Sequence, residues 1–222
     1  MYILKPGTDT SKTDMQILKA DIKRSILKAA REEFAEKGFA KASMRHIASA
    51  VGVRVGNLYN YFSSKDELFN LILQPVISSL YAMLDNHHDV HDREQAMLQE
   101  DYLKNTVKEY IRLLEHQSTL MEILLFKAQG SSLENFKSDF TDRATEQVRS
   151  WINHNGEIFT DKKVDATDFM IHLHIVYMFT MMEEILMHRI RKEALKQIIQ
   201  EYVKIEILGW KHIFQLTEEG SG

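Results

Sequence analysis

One segment organises the rest of the sequence, and it reads Ser43-Met44-Arg45-His46-Ile47-Ala48-Ser49-Ala50-Val51-Gly52-Val53-Arg54-Val55-Gly56-Asn57-Leu58-Tyr59-Asn60-Tyr61-Phe62-Ser63-Ser64-Lys65. Serine is a preferred N-cap residue, so a first short helix is expected to begin at Ser43. Gly52 allows a tight turn after this helix. A second short helix is expected from about residue 54 to 61. The apolar side chains would hold both against a preceding helix: Ile47, Ala48, Val51, Val53, Leu58 and Phe62. The segment predicts a helix-turn-helix whose outward face suits a DNA major groove.

The composition predicts an all-α protein. The 222 residues include only 2 Pro and 9 Gly, and few stretches show the alternation or the turn residues that strands need. With 44% apolar residues the chain has enough of them to bury a sizeable core, which excludes disorder for most of it. Cysteine is absent, and this excludes a disulfide framework, a thiolate metal site and a cysteine nucleophile.

Apolar residues at helical spacing predict nine helices. They are expected at about 21–37, 43–51, 54–61, 64 to beyond 76, 92–116, 120–128, 136–155, 165–189 and 192–216. The fourth begins with a capping box, Ser64 to Glu67, and Pro75 is expected to kink it. We therefore predict a mobile arm at residues 1–19, a DNA-binding domain at 20–66 and a larger helical domain at 67–222.

Charge is distributed unevenly along the chain. The net charge is −4, which by itself argues mildly against a nucleic-acid partner. Residues 1–67, however, hold 12 Lys and Arg against 8 Asp and Glu, whereas residues 68–222 hold 16 against 24. A basic first third on an acidic remainder places any contact with a polyanion in the first third.

Residues 20–70 resemble the N-terminal domain of the TetR family of transcriptional regulators. The matching features are Ala29-Ala30, Phe34, Lys37-Gly38-Phe39, Arg45-x-Ile47-Ala48, Gly52-Val53, Gly56-x-Leu58-Tyr59-x-Tyr61-Phe62 and Lys65-x-x-Leu68. The resemblance implies a regulator of transcription, most simply a repressor, that binds double-stranded DNA. The nine-helix plan is also that of the family, but beyond residue 70 only the helix count matches.

The resemblance implies which residues meet DNA: Ser43 and Arg45 from the second helix, Val55, Gly56 and Asn57 facing bases, and Tyr59, Tyr61 and Lys65 gripping phosphates. Tyrosine hydroxyls and a lysine in the first turn of helix four suit phosphate, and such contacts position the protein rather than specify a sequence. Gly56 would let the recognition helix approach DNA closely. Tyr59 could instead be a half-buried packing residue.

Two residues depart from the family pattern. Arg54 stands where the family often has a small capping hydroxyl, and His46 stands where it often has an acidic residue. Arg54 could bind a guanine edge bidentately or simply a phosphate, and the sequence leaves both options open.

Helices eight and nine predict self-association. Residues 169–182 are apolar nearly all round, so this helix must be buried on every side, and residues 195–214 are apolar over more than one stripe. The economical explanation is a homodimer through these two helices, although a core within one subunit is the alternative. The resemblance likewise implies a two-fold dimer, which would bind a near-palindromic operator with half-sites roughly 34 Å apart.

The resemblance also implies a cavity between helices four and eight that holds a small molecule. Met and aromatic side chains adapt to apolar shapes, so we expect a hydrophobic effector. The candidate lining residues, several of which could be plain core, are Leu80, Met83, Phe126, Phe140, Trp151, His174, Tyr177, Met178 and Met181.

Other classes of function find little support in the sequence. His87, His88 and His91 could hold a metal, but no fourth strong ligand is evident, so we expect a solvated loop and neither metal nor cofactor. No G-x-S-x-G, G-x-x-x-x-G-K or H-E-x-x-H motif occurs, so an enzyme is not expected. The apolar stretch 169–186 carries two histidines and two glutamates, so we expect no membrane span and a cytoplasmic protein. An α-helical protein-interaction module with little DNA binding remains the alternative.

Overall fold

The structure is a computed structural model, and it describes residues 10–88, 100–154 and 165–214. Within these ranges the chain forms nine α-helices and no strand, so the all-α prediction is confirmed there. The helices are α1 (Thr10–Lys41), α2 (Met44–Ala50), α3 (Val55–Tyr59), α4 (Lys65–His88), α5 (Glu100–Ile111), α6 (Ser118–Phe126), α7 (Phe136–His154), α8 (Asp165–Met187) and α9 (Lys192–Phe214). A π-helical turn, Arg112–His116, follows α5 directly.

The first helix is longer than its apolar pattern predicts. α1 begins at Thr10, so residues 10–19, which the sequence predicts to be part of a mobile arm, are helical. The physical reason is that no Pro or Gly interrupts the chain between Thr10 and Gly38, so a polar helix continues outward from the buried part. At Gly38 the backbone leaves helical geometry with φ of 71°, as predicted, before one more turn ends at Lys41.

The helices form two compact units. The first unit contains the described residues up to Ile72 together with Lys127–Ser132, and the second contains Leu73–Phe126 and the described residues from Leu133 onward. This division lies inside α4 rather than at residue 66, and the pattern of apolar residues does not predict that Lys127–Ser132 joins the first unit.

Aromatic rings form the centre of the first unit. The rings of Phe34 and Phe69 meet edge to face with centroids 4.9 Å apart, and Phe39 lies 5.0 Å from Phe69. Ile26 and Leu58 are completely buried beside them. These side chains come from α1, α3 and α4, so their common burial fixes the three helices in one arrangement.

In the second unit α5 packs against α9, and α7 packs against α8. Phe140 of α7 meets Phe179 of α8 edge to face at 5.4 Å, and Tyr110 of α5 meets Tyr202 of α9 at 5.6 Å. α4 runs through Pro75 as one helix to His88, so Pro75 does not end it.

Two helices have the length and apolar composition of a membrane-spanning segment, residues 65–86 in α4 and 168–187 in α8. By length and composition alone, a core helix of a globular protein passes the same test. Both helices contribute core side chains, among them Leu73 and Phe179, which are fully buried. Their apolar character is explained at least in part by packing inside the fold.

Candidate DNA-binding surface and effector cavity

The helix-turn-helix predicted from residues 43–65 is present. The N–H of Gly52 donates to the carbonyl of Ser49 at 3.1 Å, and the N–H of Val53 donates to Ala48 at 3.0 Å. Gly52 has φ of 70°, a backbone conformation that favours glycine, so this residue shapes the turn between α2 and α3. Four of the six apolar side chains predicted to join the two helices to the core are buried, namely Ile47, Ala48, Leu58 and Phe62, whereas Val51 and Val53 are only half-buried.

The predicted DNA-contacting residues fall into two groups by exposure. Arg45, Arg54, Gly56, Asn57 and Tyr59 are exposed, whereas Ser43, Val55, Tyr61 and Lys65 are half-buried. Tyr59 exposes 48% of its surface. About half of this residue therefore packs against the protein, and the other half is open to solvent. A methyl group on Gly56 would meet no atom within 4 Å, so packing within the described protein does not require glycine here.

The cap of α2 differs from the expectation. Ser43 occupies the N-cap position with extended backbone, but its hydroxyl makes no capping hydrogen bond, so the predicted side-chain cap is wrong. At α4 the capping box is confirmed in part. The N–H of Glu67 donates to Ser64 Oγ at 3.0 Å, while the Glu67 carboxylate accepts from the N–H of Ser63 at 2.6 Å.

A buried carboxylate that the sequence pattern did not single out positions α2. Oε1 of Glu33 in α1 accepts from the N–H of Ser43 at 3.0 Å, and both carboxylate oxygens accept from Lys37 Nζ at 3.1 and 3.0 Å. Nδ1 of His46 lies 3.5 Å from Oε1 of Glu33. Burial alone would raise the pKa of Glu33, but the hydrogen bonds from Lys37 and Ser43 outweigh it and lower that pKa. The spacing Glu33-x-x-x-Lys37 was the available signal.

Lys65 makes contacts within the fold that the sequence does not predict. Its Nζ donates to the carbonyl of Phe39 at 2.6 Å and to that of Ala42 at 3.3 Å, and it sits 4.3 Å from the centre of the Phe39 ring. These carbonyls end α1, where a positive charge is favourable. Lys65 therefore fixes the end of α1 to the start of α4, a role that the resemblance does not imply.

Lys127–Ser132, which follows α6, completes the first unit. The N–H of Phe39 donates to the carbonyl of Lys127 at 2.8 Å, and Lys127 Nζ donates to the carbonyl of Ala35. The N–H of Ser132 donates to Oδ1 of Asp66 at 2.8 Å. The end of α1 and the start of α4 are thus both hydrogen-bonded to a segment that lies more than fifty residues away in sequence.

The second unit contains a cavity of about 90 Å³. Five of the predicted lining residues line it: Leu80, Met83, Phe140, His174 and Met178. The other four, Phe126, Trp151, Tyr177 and Met181, do not belong to its lining, and Phe126 and Tyr177 are exposed instead. Most of the wall is apolar, as predicted. Residues that the sequence reasoning missed are mainly those of α5 and α9: Tyr102, Thr106, Tyr110, Val203, Glu206 and Ile207.

An unexpected ionisable group lies in this cavity. Glu206 exposes only 11% of its side chain, and burial raises the pKa of its carboxyl to about 8 against the opposing effect of the Tyr202 and Tyr110 hydroxyls. Oε2 accepts from the hydroxyl of Tyr110 at 3.4 Å, and Oε1 lies 3.4 Å from Nε2 of His174. Burial of the Tyr110 side chain is the main cause that raises its pKa, and the neighbouring Glu206 raises it further.

The helices predicted to dimerise carry large apolar side chains on their surface. On α8 these are Phe169, Met170, Leu173, Tyr177 and Met187, and on α9 they are Ile198, Ile205 and Leu208. Single exposed apolar residues are ordinary, whereas α8 and α9 together expose eight large ones.

The three histidines considered as metal ligands in the sequence lie at the edge of the described residues or beyond it. His91 lies outside the described residues, and the side chains of His87 and His88 are not described either. Within residues 16–86, 101–151 and 168–209, where side chains are described, no group of three or more His, Cys, Asp or Glu is placed to hold a metal ion.

Comparison with known proteins agrees with the helix-turn-helix geometry. Residues 26–72 match the family model of bacterial regulatory proteins, tetR family. The chain is 27% identical over 128 residues to the HTH-type transcriptional repressor KstR2 of Mycobacterium tuberculosis strain H37Rv, a match that covers 58% of this chain and 62% of that protein. The chain thus spans about three fifths of the length of this relative.

Solved structures resemble the whole helical fold. NalD of Pseudomonas aeruginosa, described as the secondary repressor of the MexAB-OprM multidrug efflux pump, has a TM-score of 0.59 at 20% identity, covering 85% of this chain and 96% of NalD. FadR of Bacillus subtilis, solved with stearoyl-CoA, has a TM-score of 0.53 at 17% identity, covering 80% and 95%. At such identities the likeness shows the fold. Together with the match over residues 26–72, it shows that the N-terminal part of this chain is similar to the bacterial regulatory proteins of the tetR family.

Proposed function

We propose that this chain is a sequence-specific DNA-binding transcriptional repressor that a small molecule releases from its operator. The observation that carries the proposal is the exposed face of α3, with Gly56, Asn57 and Tyr59 on a short helix that Leu58 fixes to the core. A helix held in this way can enter the major groove without unfolding any part of its support.

The residues of this face divide by the kind of DNA contact that their chemistry allows. Asn57 carries an amide that can bond bidentately to adenine, and Gly56 lets the helix backbone come close to the bases. Arg45 and Tyr59, which are exposed, and Tyr61, which is half-buried, suit phosphate oxygens because their side chains are hydrogen-bond donors. The four basic residues in excess over residues 1–67 supply a favourable field for this contact.

We further propose that the chain acts as a homodimer through α8 and α9. Leu173 exposes 42% and Ile205 66% of its surface in the single chain, and a second copy would cover both. A two-fold dimer presents two copies of α3 to successive turns of one DNA face, which requires a near-palindromic site. Because the proposed partner is DNA, we also propose a cytoplasmic location. The proposed function includes no catalytic step.

Sedimentation of single-residue variants tests the dimer. Leu173→Glu or Ile205→Glu places a charge in the proposed interface, so each variant should sediment as a folded monomer at concentrations where the wild type is a dimer. Leu18→Glu is the matched control, because Leu18 is equally exposed but lies on α1. A dimer that persists in both interface variants would contradict this interface.

Salt dependence separates the repressor from the interaction-module alternative. Binding to a duplex of arbitrary sequence should weaken steeply as salt increases, because each neutralised phosphate releases counterions. A protein-interaction module would not bind the duplex, whatever the salt concentration. The cavity in the second unit supports the effector part of the proposal, as does FadR, a protein of the same fold that was solved with stearoyl-CoA.

A further inference from the structure

The cavity has one polar end on an otherwise apolar wall. The apolar part is formed mainly by α4, α7 and α8, with Leu80, Met83, Phe140, Ala144, Val148, Ile171, Ile175 and Met178. The polar end is formed by Glu206 of α9, His174 of α8 and the α5 residues Tyr102, Thr106 and Tyr110. A ligand that fits this lining has an apolar body and a single polar group at one end.

Two buried polar atoms, of which only the one on Glu206 belongs to the cavity lining, lack hydrogen-bond partners in the described protein. Oε1 of Glu206 and the hydroxyl of Tyr202 are both buried, and neither makes a hydrogen bond of acceptable geometry with the described residues. A buried acceptor without a hydrogen bond has lost its contact with water and gained nothing in return, so a ligand that satisfies Oε1 supplies what the free protein lacks. An ionised carboxylate only accepts hydrogen bonds, so once Glu206 has lost its proton Oε1 calls for a donor.

The charges at this end favour a cation over an anion. The lining includes one carboxyl, Glu206, and it includes neither Lys nor Arg. Nε2 of His174 lies 3.4 Å from Oε1 of Glu206, so an anionic ligand that approached this imidazole would also approach the Glu206 carboxyl. An ammonium group would instead meet Oε1 as a donor, in a cavity that the aromatic residue Tyr110 also lines.

We infer that the cavity selects a lipophilic amine, a molecule with an apolar body and one protonated nitrogen that donates a hydrogen bond to Glu206. The inference rests on the proposed function, because it names the chemical class of the effector that releases DNA. The carboxyl of Glu206 is largely protonated at pH 7 in the free protein, since burial raises its pKa to about 8. Pairing with an ammonium ion favours the carboxylate, so binding releases a proton from Glu206 to the solvent.

Calorimetry with three ligands of equal chain length tests the inference. Octylamine, octanol and octanoate differ only at the polar end, and each is titrated into the full-length protein at pH 7. High salt screens unspecific attraction between the amine and the acidic surface. We expect octylamine to bind at least tenfold more tightly than the other two. Its heat should change with the ionisation enthalpy of the buffer, in the sense of proton release.

A pair of glutamine variants assigns the effect to one carboxyl. Glu206→Gln keeps the size of the side chain but removes its charge, so it should lose at least tenfold in octylamine affinity and all of the proton release. Glu201→Gln lies on the same helix, is exposed and pairs with Lys204, and should bind octylamine like the wild type. The ranking of the three ligands on the wild type tests the inference even if the Glu206 variant fails to fold.

The contrary results are distinct from failure of the proposed function. Octanoate or octanol binding as tightly as octylamine, no binding of any of the three, or unchanged octylamine affinity in Glu206→Gln would each overturn the inference. DNA binding is measured separately, on the salt-dependent duplex complex. A protein that binds duplex but ignores octylamine refutes the ligand class alone, whereas one that binds octylamine but no duplex refutes the repressor.

Discussion

Oε1 of Glu33 accepts a 3.0 Å hydrogen bond from the backbone N–H of Ser43, and this joins the middle of α1 to the residue that precedes α2. The same carboxylate accepts from Lys37 one turn further along α1. Since α2 packs against α3, the placement of the proposed DNA-binding surface depends on this carboxylate. Glu33 is thus a positioning residue in the proposed DNA contact.

The first prediction concerns pH. Because the pKa of Glu33 is lowered in the fold, the carboxylate stabilises the protein above its unfolded pKa, and this contribution is lost as pH falls through the folded pKa. Glu33→Gln should reduce the free energy of unfolding at pH 7 by about 1–2 kcal/mol, and the gap to the wild type should narrow below pH 4. Urea unfolding at both pH values measures this.

Glu32→Gln is the control, because Glu32 is its exposed neighbour on α1. That variant should match the wild type at both pH values. A Glu33→Gln gap of the same size at pH 7 and below pH 4 would show that the charge of Glu33 is irrelevant.

The second prediction separates two roles of Lys65. Lys65→Met keeps the apolar stem but removes the ammonium group that bonds to Phe39 and Ala42, so it should lower the free energy of unfolding by about 1–2 kcal/mol. Lys41→Met, at an exposed site in the last turn of α1, should change it little. If Lys65 also grips a phosphate, the folded fraction of Lys65→Met will bind every duplex more weakly. Unchanged stability would refute the structural role.

The third prediction concerns Gly56. Alanine has a higher helix propensity by roughly 1 kcal/mol, and a methyl group at Gly56 would meet no atom within 4 Å. Gly56→Ala should therefore unfold at a higher temperature than the wild type. The same methyl group would hold α3 away from the bases, so DNA affinity should fall by at least tenfold. Higher stability with full DNA affinity would place Gly56 outside the interface.

The fourth prediction resolves the two options for Arg54. Arg54 is the N-cap residue of α3, but its side chain makes no capping hydrogen bond, so Arg54→Ala should leave the stability nearly unchanged. If Arg54 reads a guanine edge, the variant will lose its base preference at one position in each half-site, at a cost of about 1–3 kcal/mol. Arg54→Lys keeps the charge but not the bidentate geometry, and it should lose that preference too.

A phosphate contact by Arg54 gives a different pattern. Arg54→Ala would then weaken binding to all sequences alike and flatten the salt dependence, while Arg54→Lys would retain most of the affinity. Selection of preferred sequences with each variant distinguishes the two patterns.

The sequence predicts the helices better than it predicts their polar connections. The core of the helix-turn-helix follows from local rules, because Ile47, Leu58 and Phe62 recur at helical spacing around a glycine turn. The start of α1 was misplaced because residues 10–19 have no apolar period, and a polar helix that extends from a buried one leaves little trace in the pattern. The sequence does not predict the structural role of Lys65, because its partners are backbone carbonyls, which have no signature in sequence.

Contacts between residues far apart in sequence account for the other differences. Lys127–Ser132 joins the first unit through backbone hydrogen bonds to Phe39 and through Asp66, and no periodicity reports such pairings. In the cavity, apolar residues of α4 and α8 were predicted from composition. Tyr110 and Glu206 were missed, because a polar residue on a helix normally indicates the solvent-facing side.

Selection of binding sites from a random pool of double-stranded DNA tests the central claim most directly. The wild type should enrich an inverted repeat whose half-sites are centred about one helical turn apart, roughly 10 base pairs. The double variant Asn57→Ala/Tyr59→Ala changes only exposed residues of α3, so it should remain a folded dimer and enrich no such repeat. A folded wild-type dimer that enriches no sequence, or a double variant that enriches the same repeat, would contradict the account.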